Sequence, residues 1–217
     1  MAIATYNDLA AAVKTWCARS DSAFSNQIET FVALHELRMY NGSDDNNGPL
    51  QCDPLMAPEI EKQGTVTFAA GVAPLPAGVS TVRFLGRPGD RVGIDYMTPR
   101  QFDLLDANSS GGDVQAFTVK GANIYVTPSF DGPFNIIYYE VQPAISSSNP
   151  SNVLLTNYPL IYFHGVMHEA FAFMQATDLA MAQFARYKAA VTGVNISIRG
   201  VRYGGTPLRI KPRNAIP

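Results

Sequence analysis

The spacing of apolar residues changes twice along the 217-residue chain, and that change restricts the fold more than any single motif. Both ends carry apolar residues every three to four positions, as helices do. The middle carries short Thr-, Val-, Phe- and Tyr-rich runs cut by Gly and Pro, as strands do. Tyr6, Leu9, Val13 and Trp16 share one face of a helix over 5–18, opened by Thr5 and Asp8 as a capping box. Asp21 or Ser22 caps a second helix, with Phe24, Ile28, Phe31 and His35 on one face and a stop near Asn41-Gly42. Strands are expected over 65–69, 79–85, 92–96, 114–119, 123–127 and 134–141, with hairpin turns at Lys120-Gly121 and Asp131-Gly132-Pro133. Thr98-Pro99 opens a short helix ending at Asp106. After a Ser/Asn/Pro linker, Thr156 or Asn157 caps an apolar helix through Gln175. Thr177 caps the last helix, with Ala180, Phe184, Tyr187 and Val191 on one face and an end at Gly193.

None of the end helices buries its apolar face alone, so the two ends are expected to pack together around an insertion. The predicted fold is α+β: a helical bundle from both chain ends, an inserted antiparallel β domain and an extended C-terminal arm. The helical body takes 1–45 and 150–192, the β-rich insertion 46–149 and the arm 193–217. Residues 42–64, with Pro49, Pro54 and Pro58, read as an irregular stretch of functional or mobile type. The arm holds five Gly or Pro residues between Gly200 and Pro212, which argues against a helix there.

Charge is segregated. The last acidic residue is Asp178; beyond it come Arg186, Lys188, Arg199, Arg202, Arg209, Lys211 and Arg213 with no acid. Of sixteen basic residues, seven lie there, which leaves nine against all eighteen acids in 1–178. An acidic body with a basic end marks an interaction arm and excludes a generally basic nucleic-acid binder. Arg199, Arg202, Arg209, Lys211 and Arg213 would engage carboxylates on a partner, with Tyr203 and Ile210 as apolar anchors. Charged residues are only 16% of the chain, below the usual quarter, so part of its surface is expected to be covered by partners.

Signals for chemistry are thin. His164 and His168 stand one helical turn apart beside Glu169, in the order HxxxHE, without the carboxylate between them or a third ligand. They read as core histidines. The Asp44–Gly48 run lacks both the first acidic ligand and the closing Glu of a calcium loop. Glu59/Glu61 and Asp103/Asp106 are paired carboxylates on a solvated face, and Ser109-Ser110-Gly111-Gly112 is a turn without a phosphate-binding Lys. Cys17 and Cys52 read as two reduced, buried thiols. No signal peptide is seen, and 160–174 is too short and too polar to span a bilayer. No cofactor and no enzymatic activity are expected.

The order of features resembles the tailed-phage head-to-tail adaptor (connector) proteins, a group related to podophage tail-tubular gatekeeper-like proteins. The opening carries Tyr6-Asn7-Asp8-Leu9, Val13, Trp16 and Arg19-Ser20-Asp21, then Ile28, Phe31, Glu36 and Arg38. The middle carries Phe117-Thr118-Val119-Lys120-Gly121-Ala122-Asn123-Ile124-Tyr125-Val126-Thr127-Pro128, followed by Asp131-Gly132-Pro133-Phe134, Tyr138-Tyr139 and Gln142-Pro143-Ala144. The later part carries Leu154-Leu155-Thr156, Pro159-Leu160-Ile161-Tyr162, Gly165, Glu169-Ala170 and Arg186-Tyr187-Lys188-Ala189-Ala190. The resemblance implies a dodecameric ring in the virion, assembled in the host cytoplasm. The helical part would form the ring body and the β insertion would face a tail or nozzle protein. The arm would dock on the portal protein, and DNA would only pass through the channel. Two readings compete: a metal-assisted hydrolase using His164 and His168, and an exterior β-sandwich module binding a glycan or receptor.

Overall fold

The computed structural model of the chain describes residues 3–45, 48–89, 93–107 and 111–203, with only the backbone described over 199–203. The fold is α+β. It divides into a helical unit, residues 1–58 with 144–217, and a β-rich unit, residues 59–143.

In the helical unit, α1 (Tyr6–Trp16) starts from the expected capping box: the Asp8 N–H donates to the Thr5 hydroxyl at 3.2 Å while the Asp8 carboxylate accepts the Thr5 N–H at 3.1 Å. It buries Tyr6, Leu9, Ala12 and Val13. Trp16, expected on the same buried face, is 60% exposed and sets its ring edge against Phe163. The second expected helix is two, α2 (Ser22–Ser25), capped by Asp21, and α3 (Ile28–Asn41). α3 ends at Gly42 in the left-handed region, where a Cβ would stand 2.7 Å from the Cys52 carbonyl oxygen.

The chain after Gly42 belongs to the helical unit, which moves the unit boundary from 45 to Pro58. Ser43 and Cys52 exchange backbone hydrogen bonds, and the Leu55 N–H donates to the Met39 carbonyl at 2.9 Å. On its return, the sequence places Pro159 where a cap at Thr156 or Asn157 would need a continuing helix. Those two residues instead lie inside α5 (Val153–Asn157), capped by Asn152. Pro159, whose missing N–H costs nothing at a first turn, then opens α6 (Pro159–Phe173). α6 is the spine of the unit and packs on α1, α3, α5 and α7. Its neighbour α7 (Thr177–Tyr203) buries Ala180, Phe184, Tyr187 and Val191 as the spacing predicts.

α7 does not stop at Gly193. It runs to Tyr203, and Asn195 and Ile198 continue the buried line at helical spacing. The roughly 1 kcal/mol that a glycine costs a helix is outweighed by that packing. Residues 193–203 are therefore helix rather than extended arm.

In the β unit, β1 (Glu61–Phe68), β7 (Gly132–Glu140) and β3 (Val79–Gly86) form one antiparallel sheet in the order β1-β7-β3. The second sheet has the order β2-β6-β5-β4, from β2 (Val72–Pro74), β4 (Asp95–Tyr96), β5 (Ala116–Lys120) and β6 (Asn123–Thr127). β4 runs parallel to β5, so the insertion is mixed and not purely antiparallel. Lys120-Gly121 begins the β5–β6 hairpin as expected. Asp131-Gly132-Pro133 is no hairpin, because β6 and β7 lie in different sheets. Strand β2 escapes the sequence pattern. It is three residues long and follows a two-residue turn at Ala70-Gly71, both at positive φ, where Ala is an uncommon choice. Alternating side chains of both sheets, among them Phe68, Leu85, Phe117, Ile124, Phe134 and Ile136, make one core. The short helix α4 (Pro99–Asp106) opens with the Thr98 capping box.

Candidate assembly surface

The two histidines that most resemble metal ligands are used inside the bundle. One turn apart on α6, both face α7: the His164 Nδ1 lies 2.8 Å from the Gln183 side-chain oxygen, and the His168 Nδ1–H donates to the Ala180 carbonyl at 2.9 Å. Glu169 is ion-paired with Arg38 of α3. The HxxxHE run is thus a clasp that fixes α6 against α7 and α3. Among the described residues, no group of three or more His, Cys, Asp or Glu is placed to hold a metal.

Beside the clasp sits a buried polar cluster. His35 is fully buried, edge-packed between Tyr162 at 5.2 Å and Tyr187 at 5.3 Å, and neither ring nitrogen has a hydrogen-bond partner. Burial, then the charges of Arg38 and His168, pull its pKa down to about 3, so the ring is neutral. Glu36, next along α3, accepts the Ile145 N–H at 3.1 Å and the Tyr162 hydroxyl at 3.0 Å. Burial raises its pKa against those two bonds. Asn152 donates to the same hydroxyl at 2.9 Å. The cluster ties α3 to the returning chain. Sequence reading placed His35 on the apolar face but missed Glu36, whose position beside that face was the available signal.

The remaining candidates are also engaged in structure. Glu61 pairs with Arg83 at 2.6 Å, and Asp103 pairs with Lys120. The Asp45 carboxylate accepts the Leu50 N–H at 3.2 Å. Ser109 and Ser110 lie outside the described residues, and Gly111 and Gly112 take positive φ with open space around them. Cys17 and Cys52 form no disulfide; Cys17 is half-buried and Cys52 buried, and burial pushes both thiols up to about 11. The β unit has a cleft of about 410 Å³ lined by Leu75, Val79, Val82, Tyr96, Phe117 and Val119. No carboxylate, histidine, lysine or arginine lines it. Tyr96, 58% exposed, is the one exposed aromatic ring among the described residues of that unit, short of the platform a glycan-binding face needs.

Of the arm residues, Arg199, Arg202 and Tyr203 fall on the last turns of α7, while Arg209, Ile210, Lys211 and Arg213 lie outside the described residues. What the helical unit does display is apolar surface: Trp16, Leu37, Leu160 and Ile196 are each at least 60% exposed.

The sequence pattern of the SU10 adaptor protein family matches residues 4–211. The chain belongs to the SU10 adaptor protein family. That is a family of phage head-to-tail adaptors, and the match spans both units. A search of the curated proteins found no match. As an SU10-type adaptor the chain has a structural part in a phage particle. No helix among the described residues is long and apolar enough to cross a membrane.

Proposed function

We propose that this adaptor forms a dodecameric ring at the head-to-tail junction, bound to the portal protein on one side and to a tail or nozzle protein on the other. DNA passes through the ring without being held, and no substrate is turned over. The portal contact is the C-terminal segment, with Arg199, Arg202, Arg209, Lys211 and Arg213 facing carboxylates and Tyr203 and Ile210 as apolar anchors. The observation that carries this reading is the stretch from Leu179 to Pro217, with seven basic residues and no acid, in a chain otherwise rich in acids.

The structure sets where the test must cut. Removing everything after Gly193 would also remove the buried Asn195 and Ile198, so the truncation is placed after Tyr203. The shortened chain is expected to fold but to lose attachment to the purified portal protein, read by electron microscopy of the mixture. Attachment kept by the shortened chain refutes the part of the contact assigned to Arg209, Ile210, Lys211 and Arg213. Arg202→Glu combined with Arg209→Glu is expected to weaken attachment more at low salt than at high salt, and a loss independent of salt refutes charge pairing.

A further inference from the structure

Among the described residues, the helical unit leaves two helix faces bare, and they are unlike. Opposite the buried side of α3 stand Thr30, Leu34, Leu37 and Asn41, with Ala33 beside them; all are exposed and none is charged. Leu34 is 46% and Leu37 61% exposed. Opposite the buried side of α7 stand Ala182, Ala185, Ala189, Thr192 and Ile196, again exposed and uncharged. A surface helix normally puts its charged residues on that side. The two lines are spaced 4-3-4 and 3-4-3-4, the seam spacing of paired helices. Their sizes are opposite: leucine ridges on α3, alanine hollows on α7.

Charge divides the same way. Within the helical unit, the part before Leu179 holds nine acids and three basic residues, while the part from Leu179 on holds seven basic residues and no acid. Glu29 is exposed in the first turn of α3, and the helix runs out into exposed Asp44 and Asp45. The cation of α3, Arg38, is paired with Glu169. On α7, exposed Arg186 and Lys188 flank the alanine line, whose N-terminal end carries the helix's one acid, Asp178.

The geometry points to a head-to-tail contact between copies of this chain, in which α3 of one copy seats Leu34 and Leu37 among Ala182, Ala185 and Ala189 on α7 of the next. Two different faces make a heterologous contact, the kind that closes into a ring. Pairing α3 with α3 would set acid against acid, and pairing α7 with α7 would set Arg186 and Lys188 against their own copies. The inference rests on the ring reading above and assigns the faces that build the ring.

The test uses the full chain with Cys17→Ser, since Cys52 is buried. Leu37→Cys and Ala189→Cys are introduced singly and together, and phage particles assembled with each are oxidised with copper-phenanthroline. The double variant is expected to give a ladder of dimers, trimers and larger species on a non-reducing gel, and each single variant only monomer. Particles that contain the double variant in wild-type amount yet give monomer alone overturn these faces while leaving the adaptor reading intact. Dimers from Leu37→Cys alone overturn them in favour of a face-to-face contact. Wild-type particles that lack the chain overturn the adaptor reading and this inference with it. Leu37→Arg, at a site too exposed to disturb the fold, is expected to lower incorporation at least tenfold; undiminished incorporation overturns the contact.

Discussion

Gly165→Ala sets helix propensity against packing. In the middle of α6, replacing glycine by alanine gains about 1 kcal/mol by propensity alone. The packing opposes it. A Cβ on Gly165 would fall within the His35 ring, and even the ring Cγ would be only 2.8 Å away. The ring has no route of escape, because His35 is fully buried and held edge-on by Tyr162 and Tyr187. α3 and α6 must part instead. An overpacking cost of about 3 kcal/mol, at the upper end for cores, leaves a net loss of about 2 kcal/mol. For a chain of this length that lowers the melting temperature by roughly 4–8 °C. The fluorescence of Trp16, the one tryptophan, reads the helical unit because its ring packs on Phe163 of α6. In a His35→Ala background the same substitution is expected to cost at least about 1 kcal/mol less, since the clash is gone. A raised midpoint for Gly165→Ala, or an equal cost in both backgrounds, would refute the reasoning.

Three more outcomes follow from the helical unit. His35 is neutral in the fold and titrates near 3 there, against about 6.5 unfolded, so its contribution is complete above pH 6.5 and falls away as acid loads the unfolded chain first. Between pH 7 and pH 5 the loss is about 2 kcal/mol. Glu36, raised by burial, acts in the opposite sense as pH rises above the ordinary carboxylate range. Denaturant midpoints of the wild type compared with His35→Leu therefore isolate the histidine, and identical pH slopes would contradict its burial as a neutral ring. Asn195→Ala strips the Met56 N–H and the Pro54 carbonyl of their partners, at a cost of about 2 kcal/mol, and cleavage within 48–58 by limited proteolysis should quicken; an unchanged cleavage rate counts against that anchor. Gly193→Ala meets nothing within 4 Å and should stabilise by up to about 1 kcal/mol, whereas Gly193→Pro should cost about 3 kcal/mol. Free tolerance of proline would restore an arm that begins at Gly193.

Sequence reading succeeded where local chemistry decides the outcome. The capping box at Thr5, the helix start at Thr98-Pro99 and the glycine stop at Gly42 are local signals, and the structure holds all three. The buried line of α7 was legible from its spacing for the same reason. It failed where distant residues decide. Gly193 and Gly200 look like punctuation, yet Asn195 bonds Pro54 and Met56 from about 140 positions away and carries the helix through. Thr156 looks like a cap, but Asn152 caps a short helix that already contains it and Pro159 opens the next. The second apolar line of α3 was available from the sequence, since Leu34 and Leu37 sit off the face that carries Phe31 and His35. Only the burial pattern shows that this second line has no partner among the described residues.

That observation gives the low charge content a location. A chain with 16% charged residues is short of ions somewhere, and the shortage falls on the outward lines of α3 and α7, where a free monomer would carry Lys and Glu. A bare apolar face that pairs with its own copy closes at a dimer. Faces of two kinds, one ridged and acid-flanked and the other hollow and base-flanked, accept each other and reject themselves. A heterologous contact either closes or grows into a fibre, and the angle between the two faces chooses between those ends. Both lines belong to helices packed on the same spine, α6, with His168 bonded to α7 and Glu169 to Arg38 of α3. In the proposed ring, the buried clasp of His168 and Glu169 would hold the angle between the two faces constant, the condition on which closure of identical subunits depends.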